Sequence, residues 1–267
     1  MTRRRFIADT WDRDRNTADL TGDQAAHLAR VLRAEPGQTF DLVAGGFLHR
    51  AEITAVAPDR VTFTLHEELE ADTALPLHLL LAIFKFDHFE WAIEKATELG
   101  VDRITPILAR RTEKHLSQAA GKRAERWRRI ALEASKQSRR TSIPEIGDPT
   151  PLKPVLATET APTRILLSEL DQATPLQSAI QQAMADRPVA TNSILSTDAA
   201  RREETSAFAP TQAPGITLAI GPEGGWAPEE MQIFLDHAWR PVTLGPRILR
   251  AETAAIAAIA ITGANLL

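Results

Sequence analysis

Two stretches near the carboxyl end decide how the fold of this chain is interpreted: LAIGPEGGW, residues Leu218–Trp226, and LGPRILRAETAAIAAIA, residues Leu244–Ala260. Each begins as an apolar run typical of a buried strand, turns at a Gly-Pro pair and continues as a helical pattern. Ligands of open α/β sheets bind outside the carboxyl ends of the strands, where glycines let them approach the backbone. The two stretches therefore predict two ligand-facing turns.

Neither turn matches a familiar nucleotide-binding loop. The Gly-x-x-x-x-Gly-Lys pattern of a phosphate-binding loop and the Gly-x-Gly-x-x-Gly pattern of a dinucleotide-binding turn are both absent from these stretches. A Gly-Pro pair taken alone indicates only an ordinary strand-to-helix turn. The functional interpretation therefore depends on finding two of them together, in this order, at the end of the chain.

The rest of residues 73–267 alternates between strand and helix patterns, which predicts an α/β domain with a parallel sheet covered by helices. The run after Pro76 is almost continuously apolar, as in a strand buried on both faces. The next helix pattern includes Trp91, Ile93, Ala96 and Leu99. The proline-rich stretch PTPLKPVLATETAP is expected to be a connection, and residues 196–214 a surface loop.

Residues 1–72 instead predict a small β-rich domain. Two alternating runs flank Ala44-Gly45-Gly46, which is a hairpin signal, and a third alternating run follows from Arg60. The stretch GDQAAHLARVLRAEPG fits a short helix. Several short strands and one helix favour a small barrel.

Composition excludes several classes of protein and site. The absence of cysteine excludes disulfides, thiolate metal sites and thiol nucleophiles. The seven histidines are scattered without metal-ligand spacing, so no metal is expected. No apolar stretch is long enough to span a bilayer, and the amino-terminal residues MTRRRFIADTW do not resemble a signal peptide, so we expect no membrane partner and a cytoplasmic location.

Basic residues are concentrated in two regions of a chain whose formal net charge is −4. One region is the amino-terminal arm with the first helix, and the other runs from Arg103 to Arg140. Arginine binds phosphates through paired hydrogen bonds, so two such regions favour RNA or DNA as a partner. A solvated helix face with i, i+4 ion pairs is the alternative interpretation of the second region.

IGPEGGW followed by LGPRILRAETAAIAAIA resembles the signature of the SPOUT methyltransferases, and most closely the RsmE-type family of 16S rRNA uridine N3-methyltransferases. HLARVLRAEPGQTFDLVAGG resembles that family's PUA-like amino-terminal domain. KATELGVDRITPILARRTEKH and RWRRIALEASKQSRRTSIPEI resemble the first half of its catalytic domain. Residues 147–213 match only loosely.

The resemblance implies a fold and an activity. The expected fold is a PUA-like β-barrel over residues 1–72 and a SPOUT α/β domain with a carboxyl-terminal trefoil knot over residues 73–267. The expected activity is methylation of N3 of a uridine near the 3′ end of 16S rRNA on the assembled small subunit, with S-adenosylmethionine as cofactor and a homodimer completing each site. The two Gly-Pro turns would then form the walls of one cofactor pocket.

Site residues follow from matching these motifs. The cofactor contacts implied by the resemblance lie at the two turns and at the end of the strand RILLSEL: Leu167, Glu169, Leu218, Ile220, Gly221, Glu223, Gly224, Gly225, Leu244, Gly245, Ile248, Leu249 and Arg250. Arg250, Glu252 and Thr253 are the catalytic candidates. Arg250 would stabilise negative charge on the uracil oxygens. Glu252 would be a general base or would orient Arg250, with Glu223 as the competing base.

The RNA contacts are expected at arginines of both basic regions: Arg3, Arg4, Arg30, Arg33, Arg110, Arg111, Arg139 and Arg140. Trp127 lies on the apolar face of its helix and is expected in the core. Two alternatives remain open: a SPOUT methyltransferase acting on another RNA such as transfer RNA, and a non-catalytic RNA-binding or ribosome-assembly protein. Intact GPEGG and LRAET motifs count against the second.

Overall fold

The structure is a computed structural model, which describes residues 5–70, 74–169, 174–186 and 215–266. Arg3, Arg4 and the expected loop over residues 196–214 lie outside the described residues. The chain forms two compact units. In the described part, the first unit comprises residues 5–70 and 136–142, and the second comprises residues 74–135, 143–169, 174–186 and 215–266.

The first unit is built on one six-stranded sheet with the order β1-β4-β5-β6-β3-β2. Its strands are β1 (Arg5–Ile7), β2 (Thr10–Asp12), β3 (Thr17–Thr21), β4 (Thr39–Ala44), β5 (Phe47–Val56) and β6 (Arg60–Leu69). A short helix α1 (Gly22–Ala26) continues directly into a π-helical turn (His27–Val31). In the described residues β1 and β2 are the two edges of this sheet, so the described part of the predicted barrel is an open half-barrel.

The β4–β5 hairpin forms where the sequence predicts it. Gly45 and Gly46 have φ angles of 59° and 83°, the left-handed values that a two-residue hairpin turn requires. A Cβ atom on Gly45 would lie 2.2 Å from the ring of Trp11. Glycine is therefore required at position 45 both by the backbone and by the packing of Trp11.

The second unit is an eight-stranded sheet in which every pairing is parallel; its strand order is β10-β8-β7-β13-β11-β14-β12, with β9 also pairing with β8. The strands are β7 (Leu75–Ala82), β8 (Val101–Leu108), β9 (Glu145–Ile146), β10 (Thr150–Pro151), β11 (Thr163–Leu167), β12 (Thr174–Pro175), β13 (Ile216–Ile220) and β14 (Arg240–Thr243). The helices are α2 (Phe86–Glu98), α3 (Lys114–Gln137), α4 (Leu152–Thr158), α5 (Leu176–Ala185), α6 (Pro228–Asp236) and α7 (Ala251–Leu266). None of the described helices is long and apolar enough to cross a membrane.

Side chains of the central strands alternate between two buried clusters, as the pleat of a strand requires. Leu79 and Leu218 contribute to the cluster that also contains residues of α2, α3, α5 and α7. Leu80 and Ala219 contribute to the cluster on the other face, with residues of α4 and α6. Helices therefore cover both faces, which confirms the predicted α/β architecture and explains the continuous apolar run of β7.

The helix pattern that includes Trp91 forms α2, but Trp91 itself is 46% exposed, because the buried face of α2 is formed by Phe89, Ala92, Ile93 and Ala96. The prediction that the proline-rich stretch is a connection is wrong, because Leu152–Thr158 form helix α4. Pro154 is tolerated as its third residue because the first amides of a helix have no intrahelical acceptor.

Trp127 is fully buried, as predicted, and its ring lies 4.8 Å from that of Phe89 between centroids.

A buried His–Glu pair fixes the end of α4 to the sheet. Nδ1 of His78 lies 2.8 Å from Oε2 of Glu159, and Nε2 lies 2.8 Å from Oγ1 of Thr105. Burial raises the pKa of Glu159, but the hydrogen bonds from His78 and from the amide of Ala161 outweigh it and lower the pKa to about 2. His78 lies in the amino-terminal half of β7, away from the carboxyl edge, so the pair is structural.

Glu159→Gln is expected to destabilise the protein at pH 5 by up to about 3 kcal/mol. A carboxylate whose pKa is lowered on folding stabilises above its unfolded pKa, and that contribution is lost as pH falls toward the folded value. The difference in unfolding free energy between wild type and variant should therefore shrink between about pH 4.5 and pH 2.

Chemical denaturation at a series of pH values measures this difference, with the exposed Glu229→Gln as the matched control. A difference that stays constant down to pH 2 would contradict the assignment.

Candidate functional site

Strand order brings three loops to one edge of the sheet. β11 lies between β13 and β14, with Leu218 opposite Ile165 and Leu167 opposite Val242. Since all three strands are parallel, the loops after them leave from the same edge. We call residues 221–226 the first loop, residues 168–169 the middle loop and residues 244–250 the second loop. The sequence stretches that carried the functional interpretation are thus brought together.

The first loop is a tight turn. The amide of Gly225 donates to the carbonyl of Pro222 at 2.8 Å, and Gly225 has a φ of 68°. A Cβ atom on Gly221 would lie 3.2 Å from Nε1 of Trp226, which is buried beneath the loop. Gly221 therefore lets Trp226 pack under the loop, while Glu223 and Gly224 are exposed.

Two side chains hold the first loop to its neighbours. The carboxylate of Glu230 accepts from the amide of Arg110 at 2.8 Å and from the amide of Ala227 at 2.9 Å. The guanidinium of Arg111 donates to the carbonyl of Gly224 at 2.6 Å. The residues after β8 and the start of α6 therefore support the first loop. The sequence interpretation missed Glu230, although a glutamate three residues after the N-cap residue of a helix, here Ala227, is a recognisable capping signal.

The second loop is much more open. Its described hydrogen bonds are local, whereas Leu244 at its start packs against the buried cluster of the sheet. The amide of Gly245 donates to Oγ1 of Thr243 at 3.1 Å, and Gly245 has a φ of 113°. Residues 245–248 are exposed, and Ile248 is 85% exposed. Leu244 and Leu249, at its ends, are half-buried. A Cβ atom on Gly245 would contact nothing in the described structure, so this backbone is accessible to a ligand.

The middle loop lies between the first and second loops at this edge of the sheet. The amide of Ser168 donates to the carbonyl of Val242 at 2.9 Å, which extends the β11–β14 pairing by one residue. Leu167 is half-buried and Glu169 is exposed. The sequence suggested this segment as a third wall; the strand order places it between the other two.

The catalytic candidates lie in different environments at the start of α7. Arg250 and Thr253 are exposed, whereas Glu252 is only 4% exposed. Nδ1 of His88 lies 3.1 Å from Oε1 of Glu252, at ion-pair distance but outside hydrogen-bond geometry. The other oxygen, Oε2, has no hydrogen-bond partner in the described part of the chain. No sequence signal pointed to His88.

The basic side chains on α3 and in the residues just before it fall into two classes. Arg123 and Arg126 both bind the carboxylate of Glu90 on α2, at 3.0 and 2.9 Å. Exposed cations with no side-chain partner within the described ranges form the second class: Arg110, Lys114, Lys122 and Arg129. At 100° per residue, the last three lie within about 80° of the helix circumference.

The first unit has a cavity of about 330 Å³ whose charged lining is basic. Its walls are formed, within that unit, by Arg5, Phe6, His27, Val31, Leu32, Lys136, Gln137 and Arg139. Arg5 donates to the carbonyl of Arg139. Arg30 and Arg33 are exposed, and Arg140 contacts Ser142.

No cluster of three or more histidine, aspartate or glutamate side chains suited to a metal ion occurs in the described residues.

Comparison with known proteins identifies both units. Residues 71–263 match the RNA methyltransferase domain family, and residues 20–65 match the RNA methyltransferase PUA domain family. The ribosomal RNA small subunit methyltransferase E of a Synechocystis species is 31% identical over 245 residues, which cover 91% of this chain and 72% of that protein.

Two solved structures extend the similarity to the cofactor. Ribosomal RNA small subunit methyltransferase E from Neisseria gonorrhoeae, solved bound to S-adenosyl methionine, is 28% identical with a TM-score of 0.71, covering 97% of this chain and 96% of that one. A methyltransferase from Legionella pneumophila, solved with bound SAM, is 27% identical with a TM-score of 0.74, covering 99% and 98%. Together with the parallel sheet, the half-barrel and the three loops, these matches show that the chain belongs to the ribosomal RNA small subunit methyltransferase E family, with an RNA methyltransferase domain and a PUA domain.

Proposed function

We propose that this protein uses S-adenosylmethionine to methylate N3 of a uridine near the 3′ end of 16S rRNA in the assembled small subunit. The observation that carries the proposal is the convergence of the first, middle and second loops at the carboxyl edge of β13, β11 and β14. Family membership and two SAM-bound relatives support the choice of cofactor.

The three loops fit S-adenosylmethionine chemically. The second loop presents accessible backbone at Gly245 between half-buried leucines, which suits a flat apolar ring with hydrogen-bonding edges. The exposed carboxylates of Glu169 and Glu223 suit hydroxyl or ammonium groups. When bound, the cofactor supplies an electrophilic methyl group. The loops would contribute by holding that group in line with the attacking nitrogen.

Arg250 is proposed to stabilise the uracil as N3 loses its proton. The N3 proton lies between two carbonyl groups, so negative charge spreads to their oxygens when it leaves. An exposed guanidinium at the end of the second loop can donate to such an oxygen. Thr253 is exposed in the first turn of α7 and could donate its hydroxyl to the same base.

The two carboxylate candidates are suited to different roles. A general base must come within hydrogen-bond reach of the proton it removes. Glu223 is exposed on the first loop, whereas Glu252 is buried beside His88. We therefore propose Glu223 as the proton acceptor. Glu252 takes the other role that the sequence left open, which is to orient Arg250.

The exposed cations are proposed to bind rRNA phosphates. On the second unit these are Arg110, Lys114, Lys122 and Arg129, joined by Arg111 where it borders the first loop. On the first unit, the exposed Arg30, Arg33 and Arg139 and the half-buried Arg140 serve with the basic cavity. Arg3 and Arg4 precede that unit's described residues and keep their proposed role. Phosphate contacts would position the RNA without reading its sequence.

The remaining family features are part of the same proposal. They are domain limits at residues 1–72 and 73–267, a trefoil knot formed by the carboxyl-terminal segment, a homodimer and a cytoplasmic location. The resemblance of GPEGG and LRAET to SPOUT motifs supports the knot and the dimer.

The reaction is tested on small ribosomal subunits from cells that lack the protein. Purified protein and labelled S-adenosylmethionine should transfer label to one uridine near the 3′ end of 16S rRNA. Because a methyl group on N3 blocks base pairing, reverse transcriptase should stop there, and nucleoside mass spectrometry should detect 3-methyluridine. Label at another nucleotide, or only on transfer RNA, would reject the uridine target; no binding of the cofactor would favour a non-catalytic RNA-binding protein.

Arg250→Ala is expected to lower kcat by about 10²–10³-fold, the usual cost of losing a donor to a developing oxyanion. Arg247→Ala is the matched control, because Arg247 is an exposed arginine on the same loop. It should change kcat by less than about threefold. Equal effects of the two substitutions would reject the specific role of Arg250.

Replacing both Lys122 and Arg129 by alanine is expected to weaken binding of a 16S rRNA transcript. The slope of log affinity against log salt concentration should become shallower by about one for each phosphate that the variant no longer binds. Arg126→Ala, on the same helix, should have less effect, because the Arg126 guanidinium is already bound to the carboxylate of Glu90. Filter binding at several salt concentrations measures the slopes. An Arg126 effect as large as that of the double variant would reject the division of α3 into two classes.

A further inference from the structure

A buried carboxylate lies just after the point where the second loop enters α7. Glu252 lies in the first turn of α7, and its side chain is only 5% exposed. The helix dipole favours a negative charge there, but the removal of a carboxylate from water is costly unless it is paired. Within the described structure, the close charged partner of Glu252 is His88 on α2, with 3.1 Å between Nδ1 and Oε1.

The contact depends on charge. Its geometry lies outside that of a hydrogen bond, so the contact attracts as an ion pair when the imidazole carries its proton; the carboxylate side chain is 5% exposed and the imidazole side chain 32%. Arg123 and Arg126 bind Glu90, and neither has a described contact with Glu252. Asp87 is a second carboxylate near the imidazole, 3.7 Å from Nε2 of His88, but its side chain is exposed.

Other described contacts leave the second loop with few restraints. Between β14 and α7 the described hydrogen bonds are those between Thr243 and Gly245 and that from the amide of Ala254 to the carbonyl of Arg250. Residues 245–248 are exposed. The position of this loop is therefore set by its two ends, one fixed by the β14 pairing and the other by the start of α7.

We infer that His88 is a positioning residue that holds the second loop in place through Glu252. The imidazolium stabilises the buried carboxylate, and the carboxylate fixes the first turn of α7 against α2. Arg250 and the backbone of the loop are thereby kept at the carboxyl edge of the sheet. The link of this loop to S-adenosylmethionine rests on the proposed function, whereas the anchoring of the loop does not.

Trypsin cleavage of the cofactor-free protein tests the anchoring directly, because the second loop contains Arg247 and Arg250. His88→Ala should raise the rate of cleavage after these two arginines by about fivefold or more. Cleavage in a folded protein follows local opening. Mass spectrometry identifies the carboxyl-terminal fragments that begin at Ile248 and Ala251.

Three further variants make the test specific. His88→Lys restores a positive charge and should return the cleavage rate toward that of wild type. Glu252→Gln should raise it, and the double variant His88→Ala/Glu252→Gln should be no more sensitive than the more sensitive single variant, since both act through one contact. His115→Ala is the matched control, because His115 faces Glu113 at 3.4 Å in an exposed pair.

Calorimetric titration with S-adenosylmethionine then links the anchor to the cofactor. His88→Ala should bind it about tenfold more weakly than wild type, since small misplacements of a binding loop are costly, and His88→Lys should recover most of the affinity. If His88 only stabilised the fold, His88→Ala would lower the melting temperature and raise cleavage at bonds throughout the chain. His88→Lys would then not restore the affinity for S-adenosylmethionine.

The outcomes separate this inference from the proposed function. Unchanged cleavage after Arg247 and Arg250 in His88→Ala, or a uniform rise at all sites, overturns the inference even if wild type binds S-adenosylmethionine. Wild type that shows no binding, with the selective rise in cleavage still present, overturns the proposed cofactor and leaves His88 as the anchor of the loop.

Discussion

Insertion of β11 between β13 and β14, with all three strands parallel, is the constraint on which the site depends. Backbone hydrogen bonds fix the register, so that the residues after Leu167, Ile220 and Thr243 emerge at the same edge. Segments separated by more than fifty residues in the chain are thereby brought side by side. The apolar clusters on both faces of the sheet hold this arrangement, because each central strand contributes alternate side chains to one or the other.

Rigidity is unequal around this edge. The first loop is tied down by Glu230, by Arg111 and by Trp226 packed beneath Gly221. The second loop is exposed and is held chiefly at its ends. The loops at this edge therefore differ in how many described contacts hold them to the rest of the unit.

Charge in this protein has two uses that the sequence does not distinguish. Arg123 and Arg126 neutralise Glu90 and so connect α3 to α2, whereas Lys122 and Arg129, on the same helix, face solvent. The basic segment therefore combines an ion-paired helix face with exposed cations that have no side-chain partner among the residues that the structure describes. Similarly, Glu230 and Glu252 are both glutamates in the first turn of a helix, yet Glu230 caps backbone amides and Glu252 faces an imidazole.

The sequence by itself determined the alternation of strands and helices, the β4–β5 hairpin, the buried Trp127 and the two Gly-Pro turns, because these follow from local periodicity and from backbone conformations that only certain residues adopt. Its motifs also led to the correct family. Only the tertiary structure decided that the middle loop lies between the other two, that Pro154 belongs to a helix and that Trp91 is exposed. It also decided that His88 meets Glu252, since strand order and contacts between distant helices depend on packing that no local pattern encodes.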